Sequence, residues 1–143
     1  MTSDPWPQAP VPGTDGTGKE WQVSSLAQLH HLRADLRAHL RSRSRDDGND
    51  QPLSERLLLV VDELTSNGLR HGLPPVTARV IATFEGWLVV ITDLCVGRYP
   101  QLAVDRDRSL GGMGLQLVAE LTSARGWTLT DGDKHVWALV PAA

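Results

Sequence analysis

From Val76 to Thr92 the chain reads as a β-hairpin set between helical sequences, and that placement limits its fold more than any other feature. Val76, Ala78, Val80, Ala82 and Phe84 alternate with Thr77, Arg79 and Thr83, the period-two pattern of a half-buried strand. Glu85-Gly86 is a short turn, and the apolar run Trp87–Thr92 returns from it. Strands joined by so short a turn are antiparallel neighbours. A hairpin between helices breaks strict βα alternation, which argues against a doubly wound parallel sheet.

The flanking patterns complete the order. Trp21–Val23 is a short first strand, and Ser24-Ser25 can cap a helix with Leu26, Leu29, Leu32, Leu36 and Leu40 on one face. Residues 41–51, RSRSRDDGNDQ, read as a solvated polar connection rather than a binding patch. A longer helix spans about 54–70, where Leu57, Val60, Val61, Leu64 and Gly68 form one stripe. Ser54 is its expected N-cap, and His71-Gly72 followed by Pro74-Pro75 ends it. After the hairpin, Arg98–Leu110 follows no periodicity and exceeds the usual connection length, as a lid or binding loop would. Gly112 to about Arg125 is helical, with Leu117, Val118 and Leu121 facing inward and Gly126 ending it. Strands Trp127–Thr130 and His135–Val140 flank a turn, Asp131-Gly132-Asp133-Lys134. The order β-α-α-β-β-α-β-β predicts an α+β protein: a two-layer α/β sandwich with helices on one face of a mainly antiparallel mixed sheet.

At 143 residues the chain fits one domain, and 41% apolar residues suffice for a core. Residues 1–18 are rich in Pro, Gly, Thr and Asp and lack hydrophobic periodicity, so they read as a disordered leader before a domain at 19–143. Gly13 to Glu20, GTDGTGKE, nearly matches a phosphate loop. Glu20 stands where a magnesium-binding hydroxyl is needed, and PWPQAPVP cannot be the strand that delivers such a loop. A net charge of −3 and a pI near 5.9 argue against nucleic acid as a direct partner. One cysteine, Cys95, excludes an internal disulfide and fits a reducing compartment. With no apolar run of membrane-spanning length and no basic-then-apolar start, the expectation is a soluble cytoplasmic protein without a membrane partner.

Three segments carry the chemistry. Glu63 and Asn67 lie four residues apart on the long helix, so a carboxylate and an amide share one face at the flank of its apolar stripe. An ordinary amphipathic helix with solvated Glu and Asn gives the same pattern, so the pair gains weight only with the other two segments. Asp93-Leu94-Cys95-Val96-Gly97 follows an apolar strand, where a buried carboxylate needs a hydrogen-bond donor such as a purine amine. Gly111-Gly112-Met113-Gly114-Leu115 opens a helix, whose free N–H groups favour phosphate oxygens. His71 fits a cation at a helix C-terminus, or a packing residue, better than a metal ligand. The tryptophans read as core or interface residues rather than a base-stacking platform.

Together these segments resemble the GHKL superfamily of histidine-kinase-like ATPases, and within it the small stand-alone serine kinase/anti-sigma factors. The likeness covers about residues 20–140. Glu63, Asn67 and the following RHG match the family's N-box, Asp93 through Gly97 its first glycine box, and Gly112, Gly114 and Leu115 its second. KHVWALV matches the last strand.

The resemblance implies the histidine-kinase-like ATPase fold, with ATP and Mg2+ as cofactors. Asn67 would hold the magnesium, Asp93 would accept a hydrogen bond from the adenine amine, and Gly97, Gly112, Met113, Gly114 and Leu115 would complete the nucleotide site. Arg98–Leu110 would be the ATP lid, and Glu63 the general base for attack on the γ-phosphate. The implied activity is a protein serine kinase acting on an anti-sigma-factor antagonist and sequestering a sigma factor, with a homodimer as one assembly. Cys95 replaces the first glycine of the usual D-x-G-x-G box and sets a side chain beside the base. That departure keeps open a non-catalytic partner-binding regulator with weak or no nucleotide binding. A detached histidine-kinase catalytic domain is the third reading, opposed by the lack of a convincing phosphoacceptor helix around His30-His31.

Overall fold

The structure, a computed structural model, describes residues 6–13, 16, 18–43, 51–94 and 112–142. Eight elements follow in the expected order: β1 (Gly18–Val23), α1 (Leu26–Arg43), α2 (Gln51–His71), β2 (Val76–Thr83), β3 (Gly86–Asp93), α3 (Gly112–Leu121), β4 (Ala124–Thr130) and β5 (Asp133–Pro141). The strands form one five-stranded sheet in the order β1-β2-β3-β5-β4, and every neighbouring pair is antiparallel. The helices pack on one face, giving the α+β two-layer sandwich.

Local sequence accounts for most boundaries. Ser25 Oγ accepts the Gln28 N–H at 3.2 Å while Gln28 Oε1 accepts the Ser24 N–H at 2.5 Å, a reciprocal cap at the start of α1. α2 begins at Gln51, so Ser54 lies inside its first turn rather than capping it. Pro52 fits there because a first-turn residue has no helical partner for its N–H. β5 starts at Asp133, leaving a two-residue turn in which Asp131 (φ 53°) and Gly132 (φ 85°) both adopt the left-handed region. That geometry is the hairpin turn favoured by Asp-Gly, and it moves Lys134 from the turn into the strand. α3 stops at Leu121, four residues before the expected end, and Ala124–Gly126 pairs with β5 instead. Thr122 Oγ1 donates to the Val118 carbonyl at 2.8 Å, and the Ser123 N–H donates to the Leu139 carbonyl at 2.9 Å.

The core between helices and sheet takes Leu29, Leu32, Leu36 and Leu40 from α1, and Leu57, Val60, Val61 and Leu64 from α2. Leu26 and Leu117, expected inside, are exposed, while Leu115 and Val118 are buried on the inward face of α3 and Leu121, also expected inside, packs partly buried against the core. Phe84 projects fully into solvent from the β2–β3 turn. A second, smaller cluster of Ile81, Leu88, Val90, Trp137 and Leu139 lies on the opposite sheet face. Ala9 and Val11 pack against it, and Trp6 is completely buried in the main core. Trp6, Ala9 and Val11 of the expected leader thus pack against the folded domain. The leader's tryptophan supplies the apolar surface that periodicity could not reveal.

No described helix is long and apolar enough to cross a membrane.

Candidate functional site

α2 carries its polar pair at the rim of the core. Leu64, Thr65 and Gly68 are buried, whereas Glu63 and Asn67 are half-buried on the flank. Burial raises the Glu63 carboxyl above its ordinary range, the adjacent Asp62 carboxylate adds to the rise, and Arg70 opposes it. Asp62 is ion-paired with Arg33, tying α2 to α1. The two adjacent carboxylates thus differ in role: one joins helices, and the other lies beside Asn67.

Two glycines set how α2 meets the sheet. At Gly68 a Cβ would lie 3.3 Å from Ile91 and 3.4 Å from Val76, so the bare backbone lets the helix lie close to β2 and β3. At Gly72, whose N–H donates to the Gly68 carbonyl at 2.8 Å, a Cβ would fall 2.6 Å from the Asp93 carboxyl. The end of α2 therefore rests directly on the end of β3. Asp93 is 1% exposed and stands opposite Lys134, 5% exposed, whose Nζ is 3.4 Å from Asp93 Oδ2. A buried carboxylate without a compensating charge costs roughly several kcal/mol, and the lysine supplies such a charge here.

Gly112, Met113 and Gly114 form the first turn of α3, which packs against α2. Leu115 is 3% exposed and belongs to the core, so any contact it makes with a ligand falls to its backbone. Cys95, Gly97 and the 98–110 loop lie outside the described residues. The structure thus sets Gly72, at the end of the helix that carries Glu63 and Asn67, against Asp93, and packs α3 on the same helix.

Two residues escaped sequence reasoning. Lys134 could be found only from the β3–β5 register. Thr65 is fully buried, and among the described residues its Oγ1 has no hydrogen-bond partner; nothing in its helical spacing separates it from an apolar stripe residue. The phosphate-loop look-alike resolves differently: Lys19 lies in β1, pairs with Asp35 at 2.9 Å and sits 5.6 Å from the Trp21 ring centre.

No protein-family model matches the chain, and no curated protein matches it either. Among the described residues no group of three or more His, Cys, Asp or Glu is placed to hold a metal. A cation at Asn67 would draw its remaining oxygens from a bound phosphate chain, as magnesium commonly does. Were Mg·ATP to bind, Asn67 would offer an amide oxygen to the cation, while Asp93, 1% exposed and paired with Lys134, would have to be uncovered to accept from the base.

Proposed function

We propose that this chain is an ATP-binding regulatory protein of the histidine-kinase-like type. In this reading it is a cytoplasmic serine kinase that phosphorylates an anti-sigma-factor antagonist and sequesters a sigma factor. One observation carries the reading: Gly72 seats the helix bearing Glu63 and Asn67 directly against the buried carboxyl of Asp93. The reading assigns the base and the cation to that helix and the adenine amine to the strand end that the helix meets.

Bound Mg·ATP supplies the phosphoryl group and part of the charge neutralisation on which such transfer depends. The chain's own residues do the rest. The Asn67 amide oxygen holds the cation, and Asp93 accepts from the adenine amine. The N–H groups of the first turn of α3 meet anionic oxygens. Glu63 takes the proton of the serine hydroxyl, and the rise in its pKa makes its carboxylate a stronger base. A calorimetric titration with Mg·ATP tests the reading. Saturable binding supports it, and no binding up to millimolar nucleotide rejects it.

A second reading, a partner-binding regulator without catalysis, has its own support. Asp93 already holds a buried cationic partner in Lys134, 3.4 Å away. Transfer of labelled γ-phosphate to a serine-bearing antagonist separates the two readings. A chain that binds a sigma factor but transfers no phosphate fits the second.

A further inference from the structure

Residues 6–11 are seated on the molecule as a peptide ligand would be. Trp6 is 0% exposed, and its Nε1 donates to the Gly126 carbonyl at 3.2 Å. The following residues run parallel to β4: the Trp127 N–H donates to the Pro7 carbonyl at 3.0 Å, and the Ala9 N–H donates to the Trp127 carbonyl at 2.9 Å. Beyond that bridge, Ala9 and Val11 cover the second apolar cluster, and Trp137 Nε1 donates to the Ala9 carbonyl at 3.0 Å. The segment therefore passes from the helix face of the sheet, across the β4 edge, to the opposite face.

The receiving surface is shaped for it. β4 is the outermost strand, so its outward N–H and C=O groups would form an open edge without this segment. A Cβ at Gly126 would lie 2.9 Å from the Trp137 ring and 3.0 Å from the Ala9 Cβ, so the bare backbone lets both close on β4. The ligand chemistry is equally specific. Proline at 7, 10 and 12 favours an extended chain before docking, which lowers the entropy lost on binding. Trp6 provides the anchor, main-chain bonds provide the register, and small apolar residues at 9 and 11 fit the far face. This is recognition by strand addition.

We propose that the β4 edge and the Trp6 pocket are a docking site for an extended Trp-Pro peptide, filled in cis by residues 6–11 and open in trans to the same segment of a second copy. The occupant in trans is a second copy because this chain itself carries the segment that matches the groove. Exchange of an identical element replaces each contact by its equal, so it costs little.

The test uses the full chain with Trp6→Ala and a synthetic peptide of residues 6–13, WPQAPVPG. Emptying a buried tryptophan site should lower the melting temperature by on the order of 10 °C. The peptide should restore much of that loss saturably, and a peptide with alanine in place of tryptophan should not. Should Trp6→Ala fail to fold, Trp6→Phe keeps an apolar ring, loses the bond to Gly126, and carries the same rescue experiment. An unchanged melting temperature, no rescue at millimolar peptide, or equal rescue by the tryptophan-free peptide overturns the docking site. Wild-type chain warmed at high concentration and cooled should yield dimers that the Trp6 variant does not form. No dimer, or a dimer that survives the substitution, overturns exchange between copies.

Discussion

Asp93 and Lys134 face each other across the β3–β5 pairing, with Nζ 3.4 Å from Oδ2 and neither residue more than 5% exposed. Replacing only one member removes a charged partner from the other inside the fold, and breaking a buried pair in this way typically costs about 3–5 kcal/mol. Lys134→Met should therefore destabilise the chain strongly in urea unfolding. The double variant Asp93→Asn/Lys134→Met should recover much of the loss, because no isolated charge remains. If the single lysine variant unfolds at the wild-type midpoint, the pair has no structural weight.

The residues of that pair also mark what the sequence could and could not reveal. The eight elements were legible because hairpin alternation at 76–92 and the Leu57–Gly68 stripe are local patterns, each repeated several times. Glu63 and Asn67 were legible as a pair because helical spacing alone sets their common face. Lys134 was not, since assigning it to a strand opposite Asp93 requires the register, and the Asp131-Gly132 turn is two residues shorter than expected. Trp6 was not, since its partner at Gly126 is 120 residues away and proline-rich composition hides a single buried anchor. The end of α3 failed for a related reason: pairing of Ala124–Gly126 with β5 overrides a helical local pattern.

Glycine 72 should prove the less replaceable of the two glycines of α2 and its end. At Gly72 an added methyl meets the Asp93 carboxyl and the Gly68 carbonyl oxygen, each at 2.6 Å, whereas at Gly68 the nearest atoms are side-chain methyls at 3.3 and 3.4 Å. Overpacking of this kind costs about 1–3 kcal/mol. Gly72→Ala should lower the melting temperature more than Gly68→Ala does. The reverse ranking in paired thermal melts would contradict the close seating of α2 on β3.

Asn67 is assigned to the cation, so its loss should show only where the cation counts. Asn67→Ala should weaken Mg·ATP binding about tenfold or more, equivalent to about 1.4 kcal/mol. Binding of ATP in excess chelator should change little, and the circular dichroism spectrum should be unaltered. A variant that binds Mg·ATP as tightly as wild type removes Asn67 from the metal site.

Glu63 joins stability to activity through one carboxyl. Its folded-state pKa is raised above its ordinary value of 4.5 by burial and by Asp62. Between the unfolded and folded values the native chain holds more proton than the unfolded chain, so this group's contribution to stability falls as pH rises through that window. Glu63→Gln cannot ionise. Its melting temperature should exceed that of wild type at neutral pH, and the difference should shrink as pH drops below the ordinary carboxyl value. The same substitution removes the proposed base, whose usual contribution is about 10²–10⁴-fold in rate. Phosphoryl transfer by the Gln variant should fall within that range while Mg·ATP affinity is largely kept. Wild-type activity should rise with pH as Glu63 ionises, and the residual activity of the variant should lack that limb. Equal transfer rates for the two proteins would end the role of Glu63 as base. An unchanged stability profile would instead show that its carboxyl is not perturbed by the fold.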